Sequence, residues 1–122
     1  MLVSELQPYG HVRYTLDGDA VHLPAKLAVS LALIFHELAT NAAKYGAFSS
    51  STGLLHVGWT LNGDRLKVQW DESGGPFVGP AGVAGFGTKL LKSALTTFDG
   101  QTETTYLPSG IICTIHCTIP TA

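Results

Sequence analysis

The sequence predicts an α+β fold, with a mixed, mostly antiparallel sheet and its helices on one face. Three observations carry that prediction. β-prone runs come in pairs around the turn signals Asp17-Gly18-Asp19, Asn62-Gly63-Asp64 and Pro108-Ser109-Gly110. A long Ala/Leu-rich segment separates the first pair from the second, and a shorter Leu-spaced segment separates the second from the third. The resulting order ββαββαββ, with three hairpins, buries its sheet by collecting the helices on one side.

Taken in order, residues 1–10, with Pro8 near their end, read as the end of an upstream helix or as a linker, and 11–122 as the domain itself. His11 to Leu16 and Ala20 to Leu23 are short β-prone runs, and Asp-Gly between them signals a hairpin. Pro24 suits the first turn of a helix. The segment from Ala25 to Ala47 has the length and apolar recurrence of one long helix, which Gly46 and the Ser-rich stretch after it end. Leu54 to Leu61 and Arg65 to Trp70 form a second hairpin through Asn62-Gly63-Asp64. From Asp71 to Gly87 glycines alternate with Pro76 and Pro80, so no regular element is expected. A connection that long is usually functional and is read here as a lid. Thr88 to Phe98 reads as a short helix with Leu90, Leu91 and Leu95 at helical spacing, closed by Gly100. Gln101 to Tyr106 and Ile111 to Ile119 make the last hairpin.

Composition narrows the function classes. At 122 residues the chain fits one domain, large enough to bury about two-thirds of the surface its unfolded form exposes. Charged residues make up 13% and the formal net charge is −2, so no basic field attracts nucleic acid. No apolar run approaches the roughly 18 residues of a membrane span, and the start lacks the basic and apolar regions of a signal peptide. A cytoplasmic domain without nucleic-acid or membrane contact is expected. The low charge has two readings: a neighbour covers part of the surface, or the core is simply dense.

The two cysteines, Cys113 and Cys117, share one face of the last strand about 13 Å apart, and His116 points to the other face. That spacing excludes a disulfide between them and spoils a zinc site, which leaves buried free thiols. His11, His22, His56 and His116 lie in or beside predicted strands without an acidic neighbour at helical spacing. They read as structural or solvent-facing residues.

The long helix carries the chemistry. At about 100° per residue, Glu37, Asn41 and Lys44 fall within roughly 60° of one another, while Leu27, Leu31, Leu38 and Ala42 lie towards other sides and can bury. A solvated face usually repeats Lys and Glu in i,i+4 pairs; this one does not. Asn inside a helix costs roughly half a kcal/mol or more relative to Ala, so Asn41 has a task other than building the helix. A bound nucleotide unites the stripe with two further segments, Asp71-Glu72-Ser73-Gly74-Gly75-Pro76 and Gly85-Phe86-Gly87-Thr88. Glycines ahead of a helix let backbone N–H groups reach phosphate oxygens, a role for Gly85 and Gly87. Asn41 offers a neutral oxygen to Mg²⁺, and Lys44 a compact charge beside the phosphates. Glu72, at the edge of a glycine turn, is suited to accept from the exocyclic amine of adenine; the plain reading is an acidic turn residue in water. Glu37 is suited to orient or deprotonate an attacking hydroxyl, imidazole or water, or else to balance Lys44.

These residues carry a family resemblance. His36-Glu37-Leu38-Ala39-Thr40-Asn41-Ala42-Ala43-Lys44-Tyr45-Gly46 resembles the N box of HWE-type sensor histidine kinases, a branch of the GHKL ATPases. Trp70-Asp71-Glu72-Ser73-Gly74-Gly75-Pro76 resembles their Trp-x-Glu first glycine box, and Gly85-Phe86-Gly87-Thr88-Lys89-Leu90-Leu91 the second. The likeness runs from about His11 to Pro120. It implies a two-layer α/β sandwich of the GHKL ATPase type, with ATP and Mg²⁺ held between the long helix and a flexible lid. By that likeness Asn41 chelates Mg²⁺, Lys44 and Tyr45 flank the nucleotide, and Glu72 takes the adenine role usually held by aspartate. Gly74 and Gly75 belong to the first box. Gly85 and Gly87 bend the lid towards the phosphates, with Phe86, Thr88 and Lys89 completing the ATP-binding set. Lys89 stands where relatives often carry arginine, which puts any bidentate contact there in question.

The resemblance also implies partners. A histidine kinase passes the γ-phosphoryl group to a histidine on dimerising helices and thence to a response regulator, and an ATPase fold of this size leaves no room for those helices. His36-Glu37-Leu38 resembles the start of a phosphoacceptor box, but such a box continues into a proline, whereas here Asn41, Lys44 and Tyr45 complete the nucleotide-binding version. His36 is therefore expected to pack beside the site as a subfamily marker. The expectation is the ATP-binding catalytic domain of a two-component kinase. The alternative is a non-catalytic docking module of the same fold, degenerate or switched by nucleotide; a GHKL protein phosphorylating serine on a partner is a third reading, disfavoured by Trp-x-Glu.

Overall fold

The computed structural model describes residues 6, 13–75, 95–108 and 110–120. The described elements are β1 (Tyr14–Asp17), α1 (Ala25–Lys44), a 3₁₀ turn (Ala47–Ser49), β2 (Leu54–Asn62), β3 (Arg65–Ser73), a second 3₁₀ turn (Thr96–Phe98), β4 (Gln101–Leu107) and β5 (Gly110–Thr118). The strands form one five-stranded sheet in the order β1-β2-β3-β5-β4. It is mixed, as expected: β1 runs parallel to β2, and every other pairing is antiparallel.

Strict alternation fixes which face is buried. Leu55 and Val57 on β2, Leu66, Val68 and Trp70 on β3, and Ile111, Cys113, Ile115 and Cys117 on β5 are buried. On α1, residues at helical spacing, Leu27, Leu31, Ile34, Phe35, Leu38, Ala39 and Ala42, are buried. Helix and sheet residues belong to one cluster, and the Phe35 ring stacks on Trp70 at a centroid distance of 6.3 Å. Leu6, the one described residue among the first ten, is fully buried in that cluster, as is Leu95. The four apolar helix positions named from periodicity are thus all in the core, and both cysteines are buried and free.

The first expected hairpin is absent. Residues 20–23 form no strand, and β1 pairs with β2 instead, in the register Tyr14↔Leu55 to Asp17↔Gly58. Parallel neighbours need a crossover, which α1 provides. The Asp17-Gly18-Asp19 bend serves to wrap the edge: Gly18 lies against the Trp59 indole, whose Nε1–H donates to the Asp19 carbonyl at 2.7 Å. The other two hairpins form, with Asn62↔Arg65 and Leu107↔Gly110 as the last pairs. The turn between β2 and β3 is centred on Gly63-Asp64 rather than Asn62-Gly63, with Gly63 at φ 64°, because a two-residue hairpin loop is well served by glycine in its first position.

Several boundaries also differ. α1 ends at Lys44, where the Asn41 carbonyl accepts from the amides of Tyr45 (2.8 Å) and Gly46 (3.1 Å). β3 runs on to Ser73, because β2 and β5 pair with it along its whole length. Of the expected helix from Thr88, residues 88–94 lie outside the described residues; the remainder is a 3₁₀ turn in which the Leu95 carbonyl accepts from Phe98 and Gly100. The left-handed position after it is held by Asp99 (φ 52°) and not by Gly100, a conformation Asp tolerates better than most residues. The lid residues 76–87 also lie outside the described residues.

Candidate functional site

The end of α1 and the end of β3 meet at one loop, residues 46–53. Glu72, expected in a glycine turn, is the penultimate residue of β3 and only 5% exposed. Trp70 and Glu72 are two residues apart on a strand, so both face α1. Oε2 of Glu72 accepts from the Trp70 indole N–H at 2.8 Å, and Oε1 accepts from the Ala47 backbone N–H at 2.9 Å. Burial pushes the carboxyl's pKa up, and the bonds from Ala47 and Trp70 oppose that shift.

Gly46 lies between Glu72 and the helix. A Cβ there would fall well inside contact distance of Oε1 of Glu72 and 3.2 Å from the Ala42 Cα. The helix end bearing Asn41 and the buried carboxylate are therefore brought together over a residue with no side chain. Gly74 (φ 74°) and Gly75 let the strand's exit close on the same loop: a Cβ on Gly75 would stand 2.8 Å from the Ala47 Cα, and the Gly74 carbonyl accepts from Thr52 Oγ1 at 2.8 Å.

Arg13, just before β1, holds the loop from its other side. Its guanidinium donates to the carbonyls of Ala47 (2.9 Å), Gly53 (3.1 Å) and Ser50 and lies over the Phe48 ring at 5.3 Å from the centroid. Asn41 and Glu37 are half-buried one turn apart on α1, while Lys44 and Tyr45 are exposed at its end. His36 is exposed on the helix. Gly85, Phe86, Gly87, Thr88 and Lys89 lie outside the described residues.

Four participants in this arrangement carry no site role in the sequence reading: Trp70 and Gly46, which stand within the quoted motifs, and Arg13 and the Ala47 amide. Trp70 had a usable signal, since its spacing from Glu72 and the alternation Leu66, Val68, Trp70 put the glutamate on the buried face. Gly46 was legible only as the end of the helix, and Arg13 and the Ala47 amide act across the fold with no local pattern to reveal them. An open depression of about 920 Å³ on the opposite face of the sheet is lined by Asp17, His56, Thr60, Lys67 and Gln69 among others. None of the described candidate residues lines it.

Comparison with known proteins places this arrangement in context. No profile of a known family matches the chain. Over 117 residues, 91% of its length, it is 31% identical to blue-light-activated histidine kinase 1 of Erythrobacter litoralis, of which it spans 32%. It is 33% identical over 105 residues, 82% of its length, to the blue-light-activated histidine kinase of Brucella ovis, spanning 22% of that protein. The chain thus covers a third or less of these relatives. Among solved structures, the histidine kinase domain of an Erythrobacter litoralis blue-light-activated histidine kinase superposes on 97% of the chain with a TM-score of 0.77 at 15% identity, 57% of that structure being covered. The catalytic domain of the histidine kinase ThkA superposes on 97% with a TM-score of 0.73 at 12% identity, with 87% of it covered. Among the described residues, no helix is long and apolar enough to cross a membrane.

Proposed function

This chain belongs to the histidine kinases, with the GHKL fold of their catalytic domain, and we propose that it binds Mg²⁺-ATP and delivers the γ-phosphoryl group to a histidine on dimerising helices elsewhere in its parent protein. In this reading residues 11–122 are the catalytic module and 1–10 the end of an upstream helix or a linker. The module works in the cytoplasm, its phosphorylated partner passing the group to a response regulator. His36 and Trp70-x-Glu72 favour the HWE branch.

One observation carries the reading. A carboxylate buried at a strand end sits against the glycine that follows the Asn41-bearing helix, and two further glycines close on the same loop. In this reading Glu72 accepts from the adenine amine, Gly74 and Gly75 allow backbone approach, and Lys44 and Tyr45 flank the nucleotide. Gly85, Phe86, Gly87, Thr88 and Lys89 belong to the ATP-binding set by the same resemblance. A hydrated Mg²⁺ needs one or two protein oxygens beside substrate phosphates, and half-buried Asn41 fits that need. When bound, the ion neutralises charge on the phosphate oxygens. Glu37, one turn before Asn41, orients or deprotonates the acceptor imidazole. Most of the catalysis is positioning and electrostatic stabilisation.

Calorimetric titration with ATP, with and without Mg²⁺, tests the reading. Binding should depend on the metal and be lost in Asn41→Ala; unchanged binding in that variant removes the metal assignment. With the parent's dimerising helices present, γ-labelled ATP should give a label stable to base and labile to acid. Binding without labelling would leave the docking module as the better description.

A further inference from the structure

Trp70 is fully buried and lies nearly parallel to Phe35, with 14° between the rings. Phenylalanine would fill much the same stack. The indole adds a single N–H, a donor with no acceptor capacity, and that N–H is spent on Oε2 of Glu72. The Ala47 amide takes the other oxygen. A glutamate side chain left to itself samples several rotamers, and fixing it opposes binding entropically. Here two donors from different elements, one on β3 and one on the loop after α1, hold both oxygens before any ligand arrives. Each oxygen keeps one lone pair, and among the described residues no further donor to either is present.

We propose that Trp70 is a positioning residue that fixes the Glu72 carboxylate, and thereby sets a preference for purines with an amino group at position 6 over purines with hydrogen or a carbonyl oxygen there. The inference rests on the adenine role given to Glu72 above and goes beyond it. A carboxylate with both oxygens pinned offers a lone pair in one fixed direction, which rewards an N–H donor and repels a carbonyl. Released from Trp70, the same carboxylate turns, and discrimination falls while the stacking of the base and the phosphate contacts stay as they were.

The test is a cycle between the indole N–H and the amine. The chain and its Trp70→Phe variant are titrated with Mg²⁺-ATP and with the Mg²⁺ complex of purine riboside triphosphate, which has hydrogen in place of the amine. A second replacement, benzothienylalanine at position 70, keeps the indole's shape with sulfur for N–H, so the test survives if the Phe variant folds poorly. Loss of one hydrogen bond predicts an ATP dissociation constant raised about fivefold to tenfold, and that of the amine-free nucleotide changed by less than about twofold. Equal weakening of both nucleotides, or unchanged ATP affinity in the benzothienyl protein, overturns the positioning role. Wild-type protein that fails to distinguish the two nucleotides overturns the adenine role of Glu72 itself, and wild-type protein that binds neither overturns the nucleotide reading.

Discussion

Arg13 and Ala47 are joined by a hydrogen bond of 2.9 Å from the guanidinium to the carbonyl oxygen, and the amide of the same Ala47 donates to Glu72. One residue of the loop is thus gripped at both ends of its backbone, by the segment entering β1 and by the strand that carries the candidate site. The loop's shape depends on both grips. Arg13 reaches carbonyls at positions 47, 50 and 53 from across the fold.

Removing Arg13 should therefore loosen the loop. Hydrogen bonds to a charged group contribute about 1.5–3 kcal/mol, and half-buried carbonyls left unpaired add to the loss, so Arg13→Ala is expected to lower stability by about 2–3 kcal/mol. Arg13→Lys should recover only part of it, because one ammonium cannot reproduce the planar fork. Urea unfolding reads the first effect, and hydrogen exchange at the Ala47 amide the second. An alanine variant within about 0.5 kcal/mol of wild type would show that water replaces the guanidinium.

Two glycines separate close approach from backbone freedom. Gly46 has an ordinary φ of −111° but no room for a Cβ against Glu72. Gly63 has open space around it but φ 64°. Gly63→Ala should lose about 1 kcal/mol through backbone strain and leave nucleotide affinity unchanged. Gly46→Ala should lose about 1–3 kcal/mol through overpacking and also weaken ATP, since the carboxylate must move. If both variants bind ATP as wild type does, Gly46 is not spacing the site.

Local patterns made most of the fold legible. β-prone runs around the turn signals Asn62-Gly63-Asp64 and Pro108-Ser109-Gly110 found β2, β3, β4 and β5, and Leu27, Leu31, Leu38 and Ala42 marked the buried side of α1. The first hairpin was misread because Asp17-Gly18 carries the same local signal whether the chain folds back or crosses over, and only the parallel partner β2, forty residues on, decides. Glu72 was found but placed in a turn. The pairing that extends β3 on both sides is non-local, and so is the burial that follows. Asn41 stood out because it is costly in a helix, whereas Arg13 offered no such anomaly.

Cys113 and Cys117 are fully buried, and burial pushes both thiols' pKa values up. For Cys113 a hydrogen bond with Thr104 pulls the other way, and the Glu72 charge adds to the rise. The thiolate is the reactive form, so both cysteines should resist alkylation at neutral pH in the folded chain and react readily in denaturant. Mass spectrometry after an iodoacetamide pulse reads this directly. Rapid native labelling of either would mean that its strand opens far more often than the core packing implies.

Glu72 also makes stability depend on pH in a direction that can be checked. Its carboxyl pKa lies above the ordinary value of 4.5, chiefly because burial disfavours the charge. A raised folded-state value means that the native protein holds the proton more tightly than the unfolded chain. The stability gained is fully present below 4.5 and is lost as pH rises through the folded-state pKa. Glu72→Gln cannot titrate there, so other groups cancel when the two proteins are compared. The melting temperature of wild type minus that of the variant should fall as pH rises from about 4.5 towards neutrality and level off beyond the folded-state pKa. The glutamine also leaves one of its two N–H donors facing an amide NH₂, which shifts the whole difference curve without changing its slope. A difference that grows with pH would show that the bonds from Trp70 and Ala47 outweigh desolvation, and that the site holds its carboxylate ionised more firmly than water does.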